Sequence, residues 1–533
     1  MTLTRVVRGG TVYDGSGGPG ARVDIGIEGD RVVLVGTDLP DAPGAEVIDA
    51  TGFQVTPGFI NVLSHAWASL QLDGSGASDL LQGVTTEVFG EAFSLGPSDE
   101  RFVELVKSFG EVSNAQLVFD HLREGLDHVV SCRIAPNIAS FVGGTNLRIL
   151  GAGFDDRPLT AVELDRLRGL LDEEMADGAL GVGTALIYPP GRFASTDELV
   201  ALCEVVGKHD GTYISHLRSE GDQFLECLDE LLEIGRRAEC RTEVYHLKAA
   251  GRHNWPKMAQ AIERLQSARD GGQRVTANMY PYIAGGTALA AAIPPRFHDG
   301  GPAALEARLN DPVQRKAAVA EMHELSGDFE NLYLAGGPEN ILFPTDLEDG
   351  TAAAGKRLSE LAADLGHTDP AEALIDIVLR ASGTGVLYFM MSEDNVELGL
   401  SQPWVSIGSD AEATPATQPF TDKGTHPRAY GTFARFLGHY SRNRGLVPLE
   451  DAVRRMTSLP AETLGLRHRG SLAPGSYADV VVLDAATVID HATFERPHQY
   501  AGGVRHVLVN GEVVVRDGAM TAARPGRRVA RQR

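Results

Sequence analysis

Between Ser195 and Tyr282 the chain alternates helix-like and strand-like segments at short, regular spacing, and few folds accept that rhythm. "STDELVALCEVVGKHDG" opens on Ser195 with Glu198 three residues on, the pattern of a capping box, and stops at Gly211. Strand "TYISH", helix "DQFLECLDELLEIGRRA", strand "TEVYHL", helix "NWPKMAQAIERLQSARDGG" and strand "RVTANMYPY" follow. Repeated βα units call for a parallel sheet, and closing eight of them into a barrel takes roughly 250 residues. The stretch from 57 to 465 has that length to spare. Asp369-Pro370 opens a further helix, "PAEALIDIVLRASG", which leads into "GVLYFMM" and then "WVSIGSD". The expected fold is α/β, a TIM-like (β/α)8 barrel.

Both ends of the chain carry a different signal. Residues 1–56 hold short alternating runs, "TRVVRGG", "VDIGIEGDRVVLVG" and "EVIDATGFQVTPG", which read as a small antiparallel β unit. Residues 466–533 repeat the style in "GSYADVVVLDAA" and "HVLVNGEVVVRDG", with Asn510-Gly511 as a hairpin signal. Ends of similar character predict one small β-sandwich built from both termini. Inside the barrel segment, residues from about 286 to 349 break the βα rhythm with an Ala-rich stretch, "IPPRF" and a charged helix. An insertion of that length suits a lid over the barrel mouth or a surface decoration.

Charge and cysteine usage narrow the partners. With 48 basic and 72 acidic residues the formal charge is −24, and the one basic cluster is the last dozen residues. Nucleic acid and anionic membrane are therefore poor partners, and a small molecule is the expected one. Four cysteines, Cys132, Cys203, Cys227 and Cys240, make no disulfide framework and read as buried thiols. No apolar run suits a signal peptide or reaches the roughly 18 residues of a membrane span, so the cytoplasm is the expected location. The sequence does not set the oligomeric state and leaves a homo-oligomer open.

The chemistry lies at strand ends. His216 closes "TYISH", His246 lies in the same place in "TEVYHL", and Asp410 closes "WVSIGSD". In a parallel barrel the C-terminal strand ends face one pocket, so these residues can converge although far apart in sequence. Imidazole and carboxylate suit Zn²⁺ in a site that keeps an open position, and a strand-end Asp can carry a proton. One such histidine alone is more often a hydrogen-bonded core residue. The three together carry the reading.

Strings spread over the chain resemble those of the N-acyl-D-amino-acid deacylases, or D-aminoacylases, of the amidohydrolase superfamily. They are "VTPGFINVLSH", "QGVTTEVFGEAFSLGP", "GALGVGTALIYPPGRF", "YISHLRSEGD", "YHLKAAGRHNW", "ANMYPYIAGGT", "IGSDA", "THPRAYGTFARFLG" and "RMTSLPAETLGL" with "GSLAPGSYADVVVLD". "PGFI" and "ADVVVLD" occur across the superfamily, whereas "YHLK", "LIYPPG" and "HPRAYG" mark this branch. The resemblance implies a zinc-dependent hydrolase that cleaves the amide of N-acyl-D-amino acids. It further implies that His216 and His246 bind zinc, that Asp410 is the general acid/base, and that Lys248, Tyr282 and Arg428 hold the substrate α-carboxylate. A planar guanidinium suits that task for Arg428 independently. Tyr188 of "LIYPPG" is either a hydrogen-bond donor to substrate or a packed aromatic.

Two departures change the expected metal site. The superfamily places His-x-His after the first barrel strand, and here the triplet is Leu63-Ser64-His65; Leu63 cannot bind a metal. The family's metal-binding cysteine, in a stretch usually reading "GNCG", is replaced by Gly90-Glu91-Ala92-Phe93. Glu91 is an oxygen donor at a strand end, and a His₂Glu set serves catalytic zinc. The expectation is one tightly bound Zn²⁺ on Glu91, His216 and His246, with His65 a spare ligand or a hydrogen-bond donor nearby. Other readings stay open: another amide, a lactone or a cyclic amide as substrate, or a binding protein that kept the scaffold without catalysis. Resemblance to hydantoinases and dihydroorotases is weakened because "GALGVGTALIYPPG" offers no lysine to be carbamylated.

Overall fold

The structure is a computed structural model and describes residues 2–37, 39, 42–110, 115–325 and 329–532. Its centre is a ring of parallel strands: β1 (Phe59–Asn61), β2 (Val84–Phe89), β3 (Asn137–Ser140, continued by Val142–Gly143), β4 (Gly181–Ala185), β5 (Thr212–His216), β6 (Arg241–Val244), β7 (Val275–Met279) and β8 (Val405–Ile407). Each pairs in parallel with the next in sequence. β3 is bent at Phe141, so that its first part pairs with β2 and its second with β4. The ring closes beyond the ends of β1 and β8. There Ser64 bridges Ala411 in parallel, Asp410 N donates to Leu63 O at 2.8 Å and His65 N donates to Ala411 O at 2.9 Å. This is the (β/α)8 barrel.

Strands of the ring are buried on both faces, which is why they read as short apolar runs rather than as alternation. Ile60, Val62, Leu63, Val88, Phe141, Ile214 and Tyr245 pack together as one cluster across the ring. The outer helices show the complementary pattern. Helix Phe224–Ala238 buries Phe224, Leu228, Leu231, Ile234 and Ala238, a stripe at three- and four-residue spacing. Helix Thr196–Lys208 starts where the sequence placed it, with Ser195 accepting from Glu198 N; the Glu198 carboxylate itself is held 2.8 Å from buried Arg148 Nη1.

Two sheets from the chain ends share a second core containing Val7, Ile25, Ile27, Val480 and Leu508. One sheet uses N-terminal strands alone, and the larger one interleaves Thr11–Val12 and Gln54–Pro57 with Val480–Leu483, Val504–Val509 and Glu512–Arg516. The N-terminal unit is not purely antiparallel as expected. Arg5–Arg8 runs parallel to Glu46–Asp49, and Thr11–Val12 runs parallel to Gln54–Pro57, each partner taking the side opposite the antiparallel strand that follows first in the chain. Asn510 (φ 48°) and Gly511 (φ 82°) both take the left-handed conformation, as a two-residue hairpin turn demands.

The excursion between β7 and β8 is larger than its sequence suggested. Ala284–Ala288, Ile341–Leu342 and Gly385–Phe389 form an antiparallel sheet over a core of Leu289, Phe297, Leu332, Leu374 and Tyr388. The run "GVLYFMM" and the helix at Asp369 therefore belong to this layer and are not a barrel unit. A continuous apolar run reports burial on both faces and does not tell a parallel strand from an antiparallel one. No helix among the described residues is long and apolar enough to cross a membrane.

Candidate active site

The strand ends at the C-terminal face line a cavity of about 310 Å³ whose walls include Glu91, His216, His246, Lys248, Asp410 and Arg428. Glu91 arrives on a sharp turn after β2. Gly90 takes φ 114°, and a Cβ there would lie 2.7 Å from Phe141, so only glycine lets the chain bend between β2 and β3. His246 follows β6 with φ 32° and its N donates to Asn278 Oδ1 at 2.9 Å. Asp410 follows β8 with φ 52°, a conformation that a short polar side chain tolerates. Left-handed backbone at two site residues is strain held by the surrounding barrel.

Glu91 Oε1 lies 3.2 Å from His216 Nδ1 and 2.9 Å from His246 Nε2, and the two imidazoles meet edge to face at 4.4 Å. All three side chains are buried, and one donor atom from each lies within 4.8 Å of the others. Ligands on a tetrahedral zinc at about 2.0–2.1 Å stand roughly 3.3 Å apart, so this set fits the ion without rearrangement of the strands. His65 Nε2 links the set to Asp410, at 3.2 Å from Glu91 Oε2 and 3.0 Å from Asp410 Oδ1. Leu63 is 1% exposed and packs in the barrel interior, so the first-strand pair contributes His65 alone.

Asp410 is set up as an anion. Burial pushes its carboxyl up, but Arg428, with Nη1 2.7 Å from Oδ2, and His65 outweigh this and hold it below the usual carboxylate range. Arg428 is 5% exposed, stands 4.6 Å from the Tyr280 ring centre and keeps Nε free of any hydrogen bond. Lys248 Nζ also lines the cavity, but it donates to both Glu220 oxygens at 2.7 Å. Tyr188 presents its ring edge to His216 at 5.7 Å while its hydroxyl donates to Thr287 Oγ1 at 2.8 Å.

Tyr282 does not reach this cavity. The chain leaves β7 at Met279 and turns at once, Tyr282 N donating to Tyr280 O at 3.0 Å. That turn sends the Tyr282 ring against Phe494, His426 and Arg435, and it is Tyr280 that lines the cavity beside Arg428 and Lys248. Three further residues carry no role in the sequence reading. Glu220, in the quoted "SHLRSEGD", bonds His246 Nδ1 at 3.1 Å and lies 3.4 Å from His216 Nε2. Glu330 and His426 also line the cavity, and burial beside Glu220 pushes the Glu330 carboxyl up to about 8. Its fourth-residue spacing from His216 is the one local feature of Glu220 in the sequence, and it does not set this glutamate apart from a solvated one.

Two imidazoles and a carboxylate around one point, with a second ionised carboxylate alongside at the open face of a parallel barrel, define a metal-assisted hydrolase site. A match to the amidohydrolase family covers residues 353–515. D-aminoacylase of Alcaligenes xylosoxydans xylosoxydans is 33% identical over 99% of this chain and 97% of its own length. N-acyl-D-aspartate deacylase of the same organism is 33% identical over 98% and 94%. The crystal structure of N-acyl-D-glutamate deacylase from Bordetella bronchiseptica, complexed with zinc and a phosphonate inhibitor that mimics the tetrahedral intermediate, is 29% identical with a TM-score of 0.82 over all of both chains. The chain belongs to the D-aminoacylase family of the amidohydrolases.

Proposed function

We propose that the protein hydrolyses the amide of N-acyl-D-amino acids, releasing a carboxylate and a free D-amino acid. The observation that carries this reading is the Glu91–His216–His246 set placed beside ionised Asp410 and linked to it by His65. Full-length similarity to three deacylases of D-amino acids supports it. Glu91, His216 and His246 would hold one zinc ion, which would supply Lewis-acid polarisation of the acyl carbonyl and lower the pKa of a bound water to about 7.

The chain's own residues do the rest. Asp410 accepts the proton of the attacking water and returns it to the leaving nitrogen, so a single carboxylate serves as base and then acid. Arg428 holds the substrate α-carboxylate, with Lys248 and the Tyr280 hydroxyl beside it, and this remote grip aligns the scissile bond with Asp410. His65 keeps the Asp410 carboxylate aimed through its 3.0 Å hydrogen bond. All four cysteines stand as free thiols, which supports a reducing compartment, the cytoplasm, as the location.

Asp410→Asn tests the assignment. The variant is expected to fold and to retain one zinc per chain by metal analysis, while turnover of an N-acetyl-D-amino acid falls by about 10²–10⁴-fold. Near-normal turnover would remove Asp410 from the mechanism, and two tightly held zincs would overturn the single-metal site.

A further inference from the structure

We propose that Asn61 is a positioning residue for the hydrolysis: its side-chain amide fixes the backbone that aims Asp410, without itself meeting substrate or metal. The proposal rests on the deacylase reading above, which gives Asp410 the proton-carrying step. Asn61 ends β1, is fully buried and lies outside the lining of the site cavity. Its amide oxygen Oδ1 accepts from Ser409 N at 2.9 Å and from Leu63 N at 3.4 Å, and Nδ2 donates to Ser409 Oγ at 2.8 Å. Asp410 is the next residue along, and its own N donates to Leu63 O at 2.8 Å. One amide group thus grips both chain segments that hold Asp410.

This seam of the barrel needs such a clamp. β1 and β8 are three residues each and, among the described residues, share no ladder; the pairing between their segments is the isolated bridge of Ser64 with Ala411. Asp410 sits at φ 52°, a conformation that persists only where the surroundings hold it, so its aim depends on the bonds to either side. The other left-handed site residue, His246, is held in the same manner by the Asn278 amide. On its far side Asn61 Nδ2 donates to Asp79 Oδ2 at 2.9 Å and to Glu87 Oε2 at 3.1 Å, both fully buried. These partners fix the orientation of the amide, because turning it over would set its nitrogen against the N–H groups of Ser409 and Leu63. Glu91, His216 and His246 stand on the ends of β2, β5 and β6, and none of the Asn61 bonds reaches them. Loss of the clamp should therefore reach the base and spare the metal-binding set.

Asn61→Ala removes every bond of this amide. With zinc-loaded enzyme and an N-acetyl-D-amino acid, kcat is expected to fall by about 10–100-fold, while KM changes by less than about threefold and metal analysis still finds one zinc per chain. If the alanine variant does not fold, Asn61→Ser, whose side chain is shorter, is expected to give the same split. A double variant separates positioning of Asp410 from a general loosening of the barrel. In the Asp410→Asn enzyme, the substitution at Asn61 should lower the residual kcat by less than about twofold, because no base remains to be aimed. An unchanged kcat, a loss carried by KM, zinc lost together with activity, or an equal fold-loss in the Asp410→Asn enzyme would overturn the assignment while leaving the deacylase reading intact. Absence of turnover on every N-acyl-D-amino acid by the parent enzyme would overturn that reading and this one with it.

Discussion

Glu220 shows how much a site depends on residues behind its ligands. Its carboxylate contacts His246 Nδ1 and both its oxygens accept from Lys248, while its backbone N donates to Glu330. Burial pushes this carboxyl up, yet the neighbouring His216, Lys248 and His246 outweigh it and bring it to about 2. A carboxylate on the far nitrogen of a metal-binding imidazole fixes its orientation and raises its basicity. Glu220→Gln keeps the shape and removes the charge. Zinc affinity measured by chelator competition should weaken by about 10–100-fold, and an unchanged affinity would show that Glu220 does not orient the histidines. His216, His246 and Asp410 were legible because each ends a short apolar run; Glu220 was not, since a loop glutamate four residues past a strand-end histidine looks like any solvated one. Tyr280 and Tyr282 were indistinguishable on paper for a different reason. They flank Pro281, and the turn after β7 decides which ring faces the cavity.

At the level of elements, the barrel hides charge that its strands' apolar appearance does not announce. Glu243 of β6 accepts from Asn278 Nδ2 at 2.8 Å and Thr276 Oγ1 at 2.9 Å on β7, and Asn278 in turn holds the backbone of His246. Burial pushes the Glu243 carboxyl from 4.5 up to about 7. The folded protein thus holds this proton more tightly than the unfolded chain, so stability from this group is greatest below about 4.5 and declines as pH rises through about 7. Glu243→Gln, which cannot ionise, should be more stable than the parent at pH 8 by about 2–3 kcal/mol, with the difference shrinking towards pH 5. Calorimetric unfolding at both values checks this, and a difference independent of pH would mean that Glu243 stays ionised in the fold. Strands β5, β6 and β7 were readable because helices with apolar stripes separate them and the helix before β5 opens on a clear cap at Ser195. The strand Gly385–Phe389 was misplaced because its apolar run carries no sign of which neighbours it pairs with.

Across the whole molecule, the C-terminus closes the barrel at the end away from the site. Ile138, near the start of β3, donates to Arg527 O at 2.9 Å and accepts from Val529 N at 2.7 Å, while Arg531 N and Gln532 N donate to Gly178 O and Gly465 O. Val529 packs with Ile60, Val88 and Ile214. The basic cluster noted in the sequence is paired internally here, Arg527 with Asp30 at 2.6 Å and Arg528 with Asp127 at 3.0 Å. Deleting residues 527–533 removes four backbone hydrogen bonds and one buried valine, a loss of about 5 kcal/mol. The thermal midpoint should drop by several degrees; an unchanged midpoint would show that the segment lies on the barrel without bracing it.

By itself the sequence determined the βα rhythm, the strand-end histidines and aspartate, and the supply of basic residues, because each is a local property of residue type and spacing; the loss of a ligand at Leu63 was read from the family resemblance. The tertiary structure alone decided that β1 meets β8, that Glu220 and Tyr280 stand in the site while Tyr282 does not, and that the excursion's short helices line a second cavity against Tyr188. Those outcomes depend on packing between segments hundreds of residues apart. Hydrophobic periodicity records whether a residue is buried, and carries no record of what it is buried against.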